Sequence, residues 1–452
     1  MSDSDIKQYP IDRLVRPVQR FLHQGKSGGL VLLFSVIAAL ALANSGLSVY
    51  YFETLSYKFG FHFNGKNYLN LSLLHWINDA LMAIFFFVVG LELKREFVGG
   101  ELRNPRKAIL SIVSAIGGML VPAVIYLMLN PTGEPHRGWG IPMATDIAFA
   151  LALLYVLGSK VPLSLKVFLT ALAIVDDLGA IVVIALFYSS DISVLHLLTG
   201  LSFALLMYAS NRAGVRSMIF YALLGIFGVW LPFLLSGVHA TIASVIAAFM
   251  IPADVRIKEL PFVMQMKNNL DEFLKIDPKD DIPNLTEDQL QLMEKIKKDT
   301  DNAIPPLQRL EYTLQPFVTF VVLPIFALSN AGVVLNFETD ILFSTNVALG
   351  VVLGLMLGKI IGVSGTALLM IRLKLAPSLE GMNFKNIIGI GMLAGIGFTM
   401  SLFVTSLAFT NEEHIMQAKI GIFVASILSA VIGFFVLNSS ARVDKKKNKT
   451  VP

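Results

Sequence analysis

VPLSLKVFLTALAIVDDLGAIVVIALFY, residues 161–188, is a mostly apolar stretch with two adjacent acids, Asp176 and Asp177, near its middle. As an α-helix it is long enough to cross the roughly 30 Å hydrocarbon core of a bilayer, which places both carboxyls near the midplane. One charge at that depth costs about 2.5–3.5 kcal/mol even on a lenient insertion scale. Because neighbouring carboxylates also repel each other, at least one of them should bind protons readily. The stretch therefore predicts a membrane-spanning helix with a proton and cation site at its centre.

The composition indicates that the whole chain is a membrane protein. Of its 452 residues, 55% are hydrophobic and 15% are charged, whereas a soluble protein carries about 25% charged residues. The chain has no cysteine, which excludes disulfides and thiol chemistry. The apolar residues 30–47 follow a polar, arginine-containing segment and lack a small-residue cleavage site. We interpret them as a retained first helix and not as a signal peptide.

Twelve apolar segments are long enough to span a bilayer. They are residues 28–48, 72–92, 107–129, 141–158, 163–188, 195–211, 217–235, 236–252, 314–336, 346–371, 386–409 and 415–438. Lysine and arginine are concentrated in every second connection, beginning with the N-terminal segment and ending with the C-terminal tail. By the positive-inside rule both termini are then cytoplasmic. The predicted fold is an all-α polytopic membrane protein.

Two connections have patterns of their own. Residues 57–69 alternate in polarity around Asn64-Gly65, which predicts a β-hairpin with a type I′ turn. We assign residues 51–70 to this extracytoplasmic hairpin, whose exposed edge either pairs with a second copy to form a homodimer or packs on its own domain. Residues 254–310 carry mixed charge and prolyl breaks between two helix-like segments. They indicate a cytoplasmic insertion, which is either a small helical lid or a functionally neutral addition.

Few ionisable side chains lie deep in the predicted spans: Asp79, Asp146, Asp176, Asp177 and Lys359. A buried ammonium needs a buried carboxylate, and Asp176 and Asp146 are the two candidate partners of Lys359. A purely structural ion pair between two helices would use one acid and one lysine. The surplus of acids therefore favours a functional site.

Two of the predicted helices carry signals for an interruption. Pro142 and the Ala-Thr-Asp of residues 144–146 mark the fourth helix, and the glycine-dense residues 389–400, which include Gly395 and Gly397, mark the eleventh. Such breaks are tolerated inside a membrane only where they line a cavity or are buried in protein. Helices 3–5 and 10–12 run in opposite senses, with an interrupted helix in the middle of each triplet. This is the inverted-repeat architecture of secondary transporters.

Taken together, the motifs resemble those of the NhaA-type sodium/proton antiporters. In chain order they are NDALMAIFF at 78–86, GLELKRE at 90–96, ATD at 144–146, DD at 176–177, SGVHAT at 236–241, LGK at 357–359 and GIGFTMS at 395–401. They cover nearly all of the chain. NhaA proteins are among the transporters that define the inverted-repeat rule, so the resemblance and the repeat argument are not independent.

The resemblance implies roles for the midplane residues. Asp177 would be the main cation ligand and Asp176 its proton-exchanging neighbour, with Lys359 paired to Asp176 when sodium is absent. Asp146 and Thr145 would lie where helices 4 and 11 cross. There the charge of Asp146 would balance the positive helix N-termini that converge at the crossing.

The resemblance also implies activation at alkaline pH through groups at the cytoplasmic mouth. The matching residues of this chain are Glu92, Glu96, His239 and Glu311. The chain departs from the family pattern at Tyr312 and Gln315, where the family has histidines, and in the length of its insertion. The pH set point is thus the property that the resemblance determines least.

Sodium and protons would compete for the same carboxylate oxygens, because hard cations such as Na⁺ and Li⁺ prefer oxygen ligands. We therefore predict an electrogenic Na⁺(Li⁺)/H⁺ antiporter of the bacterial inner membrane, surrounded by lipid, with no cofactor beyond its transported ions and no nucleic-acid partner. The alternative is a sodium-coupled organic-anion symporter, which should have a larger polar cavity at the midplane. An intramembrane aspartyl protease is disfavoured because its Gly-x-Gly-Asp context is missing, and a passive channel would not need opposed repeats.

Overall fold

The computed structural model describes residues 27–63, 66–189, 192–276, 285–334, 346–377 and 382–449. Nine of the described helices are long and apolar enough to span a bilayer, and two bent helix pairs raise the number to eleven. A shorter apolar helix, Ala240–Met250, matches the remaining predicted segment. The predicted all-α polytopic fold is confirmed, and the chain is a multi-pass membrane protein.

The helices follow the predicted order along the chain. They are α1 (Ser27–Ala43), α2 (Ser48–Ser56), α3 (Leu73–Gly99), α4 (Pro105–Leu129), α5 (Ile147–Leu157), α6 (Leu163–Phe187), α7 (Val194–Arg212), α8 (Met218–Ser236), α9 (Ala240–Met250), α10 (Glu259–Lys275), α11 (Glu287–Ala303), α12 (Pro306–Asn330), α13 (Val347–Arg372), α14 (Phe384–Ala394), α15 (Phe398–Ala408) and α16 (Glu412–Lys449). A 3₁₀-helix, Glu134–Met143, precedes α5.

Several predicted boundaries differ from those in the structure. The first span ends at Ala43 rather than at residue 48, and α2 follows at an angle of 110°, because Asn, Ser and Gly at 44–46 favour a turn. The ninth span begins at Pro306 and not at residue 314. Its first turns include Arg309 and Glu311, so they are amphipathic and a search for apolar runs does not detect them.

The hairpin forms, but later in the chain than predicted. Strands β1 (Lys58–Phe63) and β2 (Lys66–Ser72) pair antiparallel. Residues 51–56 of the predicted hairpin instead belong to α2, where the Tyr51 hydroxyl donates to the Leu328 carbonyl at 2.6 Å. The predicted turn, Asn64-Gly65, lies outside the described residues. Trp76 stacks on Phe59 with ring centroids 5.7 Å apart, which attaches the hairpin to the start of α3.

The insertion contains two helices, α10 and α11, that pack against each other. The Asn269 side chain of α10 donates to the Asp299 carboxylate of α11 at 3.1 Å. A capping box between Thr286 and Gln289 fixes the start of α11. Arg309 of α12 pairs with Asp301 at 2.5 Å, so the insertion is attached to the first turns of a membrane span. Residues 277–284, between the two helices, lie outside the described part.

The predicted third to fifth spans correspond to α4–α6, and the predicted tenth to twelfth spans correspond to α13–α16. These two triplets meet through α4 and α13. A Cβ on Gly362 of α13 would stand 2.7 Å from the backbone carbonyl carbon of Gly117 on α4. Small residues at such a crossing let the two backbones approach closely, which is the usual basis of helix packing in membranes. This contact brings α13 alongside the helices of the first triplet, including α6.

Candidate functional site

The helix α6 carries both adjacent acids into the protein interior. Successive residues of a helix are separated by about 100°, yet Asp176 and Asp177 are each 1% exposed. Both can be buried because neighbouring helices cover a wide face of α6. Two ionisable groups are thereby held in a region where a charge is stable only if it is compensated.

Lys359 compensates one of the two acids. It stands between two π-helical turns of α13, Gly354–Gly358 and Ile360–Gly365, and π-helical turns in α-helices frequently occur at functional sites. Its Nζ donates to Asp176 Oδ2 at 2.6 Å, and both side chains are fully buried. Of the two candidate partners of Lys359, the structure pairs it with Asp176.

Asp177 is left with a different environment. Among the described residues, neither of its carboxylate oxygens has a hydrogen-bond partner, and the same holds for Asp176 Oδ1. The charges of Asp176, Asp146 and Glu92 act on Asp177 repulsively, and that of Lys359 acts attractively. A carboxylate in this position has to hold a proton or a cation, because an unpaired buried charge is strongly unfavourable.

The two interrupted spans cross beside Asp176 and Asp177. They are Glu134–Leu157, which ends in α5, and the bent pair of α14 and α15. Residues 144–146 are extended, and α14 and α15 meet at a bend of 44°. The Thr145 hydroxyl donates to the Ala394 carbonyl at 2.8 Å, and the Asp146 backbone N–H donates to the Ile396 carbonyl at 2.6 Å. Each break thus satisfies backbone groups of the other, as a membrane interior requires.

The carboxylate of Asp146 caps two helix N-termini at once. Its Oδ1 accepts the Phe149 N–H of α5 at 3.1 Å. Its Oδ2 accepts the Thr399 N–H of α15 at 2.9 Å, and also the Thr399 hydroxyl. Helix N-termini carry partial positive charge, so this negative charge is compensated by the helices themselves and leaves Lys359 to Asp176.

Gly395 and Gly397 are needed at the break because α13 approaches it closely. A Cβ on Gly395 would lie 2.5 Å from the Leu355 carbonyl oxygen and 2.8 Å from Ser429 Oγ. A Cβ on Gly397 would lie 2.8 Å from a methyl group of Leu355 and would clash with the Ser401 hydroxyl. Larger residues would therefore separate α13, and with it Lys359, from the crossing.

The three predicted pH-sensing acids, Glu92, Glu96 and Glu311, lie around one arginine. Arg95 contacts Glu311 at 2.9 Å and Glu96 at 3.1 Å, and its distance to Glu92 is 3.9 Å. A cavity of about 340 Å³ lies next to them. Its lining residues are Arg95, Ile304, Gln308, Arg309, Glu311, Tyr312 and Gln315.

The structure does not bring His239 to this cluster. His239 precedes α9, whose opposite end carries Phe249, and the Phe249 carbonyl accepts Lys94 Nζ of α3 at 2.7 Å. The eleven residues of α9 separate the two ends by about 16 Å. The described contacts of His239 are Thr241 Oγ1 at 3.1 Å and the ring of Phe403, with centroids 5.6 Å apart.

Comparison with known proteins decides the family. The profile of the Na⁺/H⁺ antiporter 1 family matches residues 19–437. This chain is a member of that family. The resemblance predicted from the motifs is thereby confirmed.

Several relatives of this family member align over almost its full length. The protein named Na(+)/H(+) antiporter NhaA 1 from Saccharophagus degradans is 45% identical, covering 94% of this chain and 92% of its own. Na(+)/H(+) antiporter NhaA 2 from Syntrophotalea carbinolica is 47% identical, covering 95% and 98%. The structure of the sodium proton antiporter MjNhaP1 from Methanocaldococcus jannaschii at pH 8 shares the fold, with a TM-score of 0.51, 12% identity and coverage of 95% and 98%.

In this member of the antiporter family, two residues that were not predicted from the sequence organise the site. Thr399 binds Asp146 through both its N–H and its hydroxyl, and a hydroxyl residue two positions after Gly397 was an available signal. Arg95 holds the acidic cluster together. It lies between Glu92 and Glu96 in the sequence, so a charge alternation in that motif was the signal for it.

Proposed function

We propose that the protein exchanges Na⁺ or Li⁺ for protons across the membrane at the Asp176–Asp177 site. The observation that carries this proposal is the buried Asp177 carboxylate, which has no hydrogen-bond partner among the described residues and adjoins the Lys359–Asp176 pair. The family membership supports the same activity, because its relatives are named as Na⁺/H⁺ antiporters. Such proteins are transporters and not enzymes.

In the proposed cycle, cation and protons occupy the same carboxylates in turn. Na⁺ binds Asp177 together with Asp176, displaces the proton of Asp177 and releases Asp176 from Lys359. Oxygen atoms of the interrupted backbone and of nearby hydroxyls complete its coordination, as a hard cation requires. After the site opens to the other side, protons replace the cation and Lys359 returns to Asp176.

We propose that the exchange is electrogenic. If one Na⁺ displaces more than one proton, from Asp177 and from Asp176 or Lys359, each cycle moves net charge. The membrane potential then contributes about 2.3 kcal/mol per charge per 100 mV, and an inside-negative potential drives sodium out. In proteoliposomes, a potential set with potassium and valinomycin should change the exchange rate. An unchanged rate would refute electrogenic exchange.

The exchange itself is tested in everted membrane vesicles. We expect Na⁺ and Li⁺, but not K⁺, to dissipate a preformed pH gradient. Asp177→Asn should abolish the response, whereas Asp271→Asn, which removes an exposed acid of α10, should leave it intact. A response that survives Asp177→Asn would remove this residue from the cation site. A sodium-coupled organic-anion symporter would dissipate no pH gradient with Na⁺ alone.

We further propose that the acids around Arg95 set the pH dependence, with activation at alkaline pH. Glu92 is the member of the cluster whose charge acts on Asp177, so deprotonation of the cluster changes the electrostatic environment of the cation site. The cavity beside Arg95 gives water access to Glu311, the acid of the cluster that lines it. Because His239 lies at the opposite end of α9 from the Phe249 carbonyl that contacts Lys94, we assign this role to Glu92, Glu96 and Glu311.

The orientation and the assembly are proposals as well. Loop charge places both termini in the cytoplasm of a bacterial inner membrane. We propose a homodimer formed through the hairpin, because an isolated two-stranded hairpin is marginal in water and pairing of two copies yields a larger sheet. Deleting residues 58–72, which contain both strands, should convert the detergent-solubilised protein to monomers by light scattering. A deletion variant that remains dimeric would contradict the hairpin contact.

A further inference from the structure

Asp79 is a deep ionisable residue that the exchange mechanism above does not use. It lies in a π-helical turn, Ile77–Leu81, near the start of α3, and is 9% exposed. His75, one turn earlier, places Nε2 at 3.5 Å from Asp79 Oδ2, and the histidine side chain is 61% exposed. The pair therefore joins a buried carboxylate to a group in contact with the surroundings at the hairpin end of the protein.

Polar groups surround this pair on the inner side. The side chain of Asn330, at the end of α12, donates to Asn78 Oδ1 at 2.8 Å. His239, at the start of α9, packs its ring against Phe403 with centroids 5.6 Å apart. Residues of α3 and α12 thus form a polar layer around the pair.

Aromatic rings pack further along α3 than the polar layer. Phe403 contacts Phe86 and His239, each with centroids 5.6 Å apart, and Phe326 at 6.2 Å. Helix α3 gives the order of depth. Phe86 lies seven residues beyond Asp79, or about 10 Å along the axis, and Glu92, whose charge acts on Asp177, lies further still.

Other titratable groups stand on the elements packed around the pair. They are His239 before α9, Tyr51 on α2, Lys419 on α16 and Lys58 at the base of β1. The Tyr51 hydroxyl donates to the Leu328 carbonyl, and Lys419 Nζ lies 3.4 Å from the Gly332 carbonyl. Within the described part of the chain, His75 is the one basic group within 4 Å of the Asp79 carboxylate.

We propose that His75 and Asp79 form an outer proton-transfer site that supplies the exchange from the hairpin side. His75 takes a proton from water and donates it from Nε2 to Asp79 Oδ2, after which the neutral imidazole takes the next proton. The protonated Asp79 carboxyl passes its proton inward when the Phe403 layer opens in the transport cycle. Histidine suits the outer position because it gains and loses a proton near neutral pH. The inference rests on the proposed exchange and on the proposed orientation.

The test varies pH on each side of proteoliposomes that contain uniformly oriented protein. Radioactive Na⁺ release to the hairpin side is measured while the pH on that side changes from about 5 to about 8, the interval in which histidines change charge. We expect His75→Gln to remove the dependence of Na⁺ release on the pH of the hairpin side. Its dependence on the pH of the opposite side should remain. Asp79→Asn should slow exchange and remove the same dependence, and the double variant should behave like Asp79→Asn because both act at one step.

His196→Gln is the matched control. His196 is an exposed histidine at the start of α7, bonded to Ser193 at 2.8 Å, and we expect this variant to keep the wild-type profile. Elution of each solubilised variant at the wild-type volume shows that it folds. The proposal is overturned if His75→Gln and Asp79→Asn both keep the wild-type rate and profile. Wild-type protein without any Na⁺-dependent proton movement would instead refute the proposed exchange.

Discussion

Substituting Lys359 by methionine tests the central ion pair most directly. The change keeps the length of the side chain and removes its charge, so the fully buried Asp176 loses the partner that now lies 2.6 Å away. The alternative fates of Asp176 are an uncompensated charge or a bound proton, and both are unfavourable in the interior. We expect Lys359→Met to destabilise the protein and to abolish normal exchange.

The magnitude follows from the burial of the pair. Removing one partner of a buried ion pair costs about 3–5 kcal/mol, and no screening reduces this figure because both side chains are 0% exposed. An unfolding entropy of roughly 2.1 cal/mol/K per residue gives about 0.9 kcal/mol/K for a chain of 452 residues. The melting midpoint should therefore fall by about 3–5 °C.

The assay is thermal melting of detergent-solubilised protein at constant detergent and pH. Lys359→Met combined with Asp176→Asn removes both charges, so we expect this double variant to recover most of the loss. Lys419→Met is the control. Lys419 donates to a carbonyl at 3.4 Å and forms no ion pair within 4 Å among the described residues. The melting midpoint of Lys419→Met should therefore fall by only about 1 °C. Equal losses for the two lysines, or a double variant whose loss is the sum of the single losses, would refute the reasoning.

Three further substitutions test the helix crossing and the acidic cluster around Arg95. Gly395→Ala places a Cβ 2.5 Å from the Leu355 carbonyl oxygen. In thermal melting, the free energy of unfolding should therefore fall by roughly 1–3 kcal/mol. Thr399→Val removes a hydroxyl that donates to Asp146, so the free energy of unfolding should fall by about 1.5–3 kcal/mol and the apparent Na⁺ affinity in vesicles should weaken. Thr399→Ser should bring both quantities back to the wild-type values. Glu311→Gln removes the charge that contacts Arg95 at 2.9 Å, where the Glu311 side chain is 7% and the Arg95 side chain 38% exposed. Because the carboxylate is buried, the free energy of unfolding should fall by about 1–3 kcal/mol. Vesicle assays should place activation at lower pH, because one repelling charge is gone and Arg95 is free to pair with Glu92 and Glu96.

The sequence predicted the parts of the fold that local chemistry controls. Apolar runs and loop charge are properties of consecutive residues, so the order of the spans followed from them. The two interrupted helices followed from Pro142 and from the glycine-dense residues 389–400. The start of α12 was missed because its first turns are amphipathic and form no continuous apolar run. The start of the hairpin was missed because α2 is fixed by a contact with a distant helix, from Tyr51 to Leu328.

The sequence by itself determined which ionisable groups had to be buried, because Asp176, Asp177 and Lys359 lie in the middle of runs that a membrane must accept as helices. The tertiary structure decided how they are paired. Lys359 and Asp176 are 183 residues apart, and no local pattern distinguishes Asp176 from Asp146 as the partner. The choice depends on Asp146 being occupied by the N-termini of α5 and α15. Those termini converge only when the two breaks cross, and this leaves Asp177, beside the ion pair, without a hydrogen-bond partner among the residues that the structure describes.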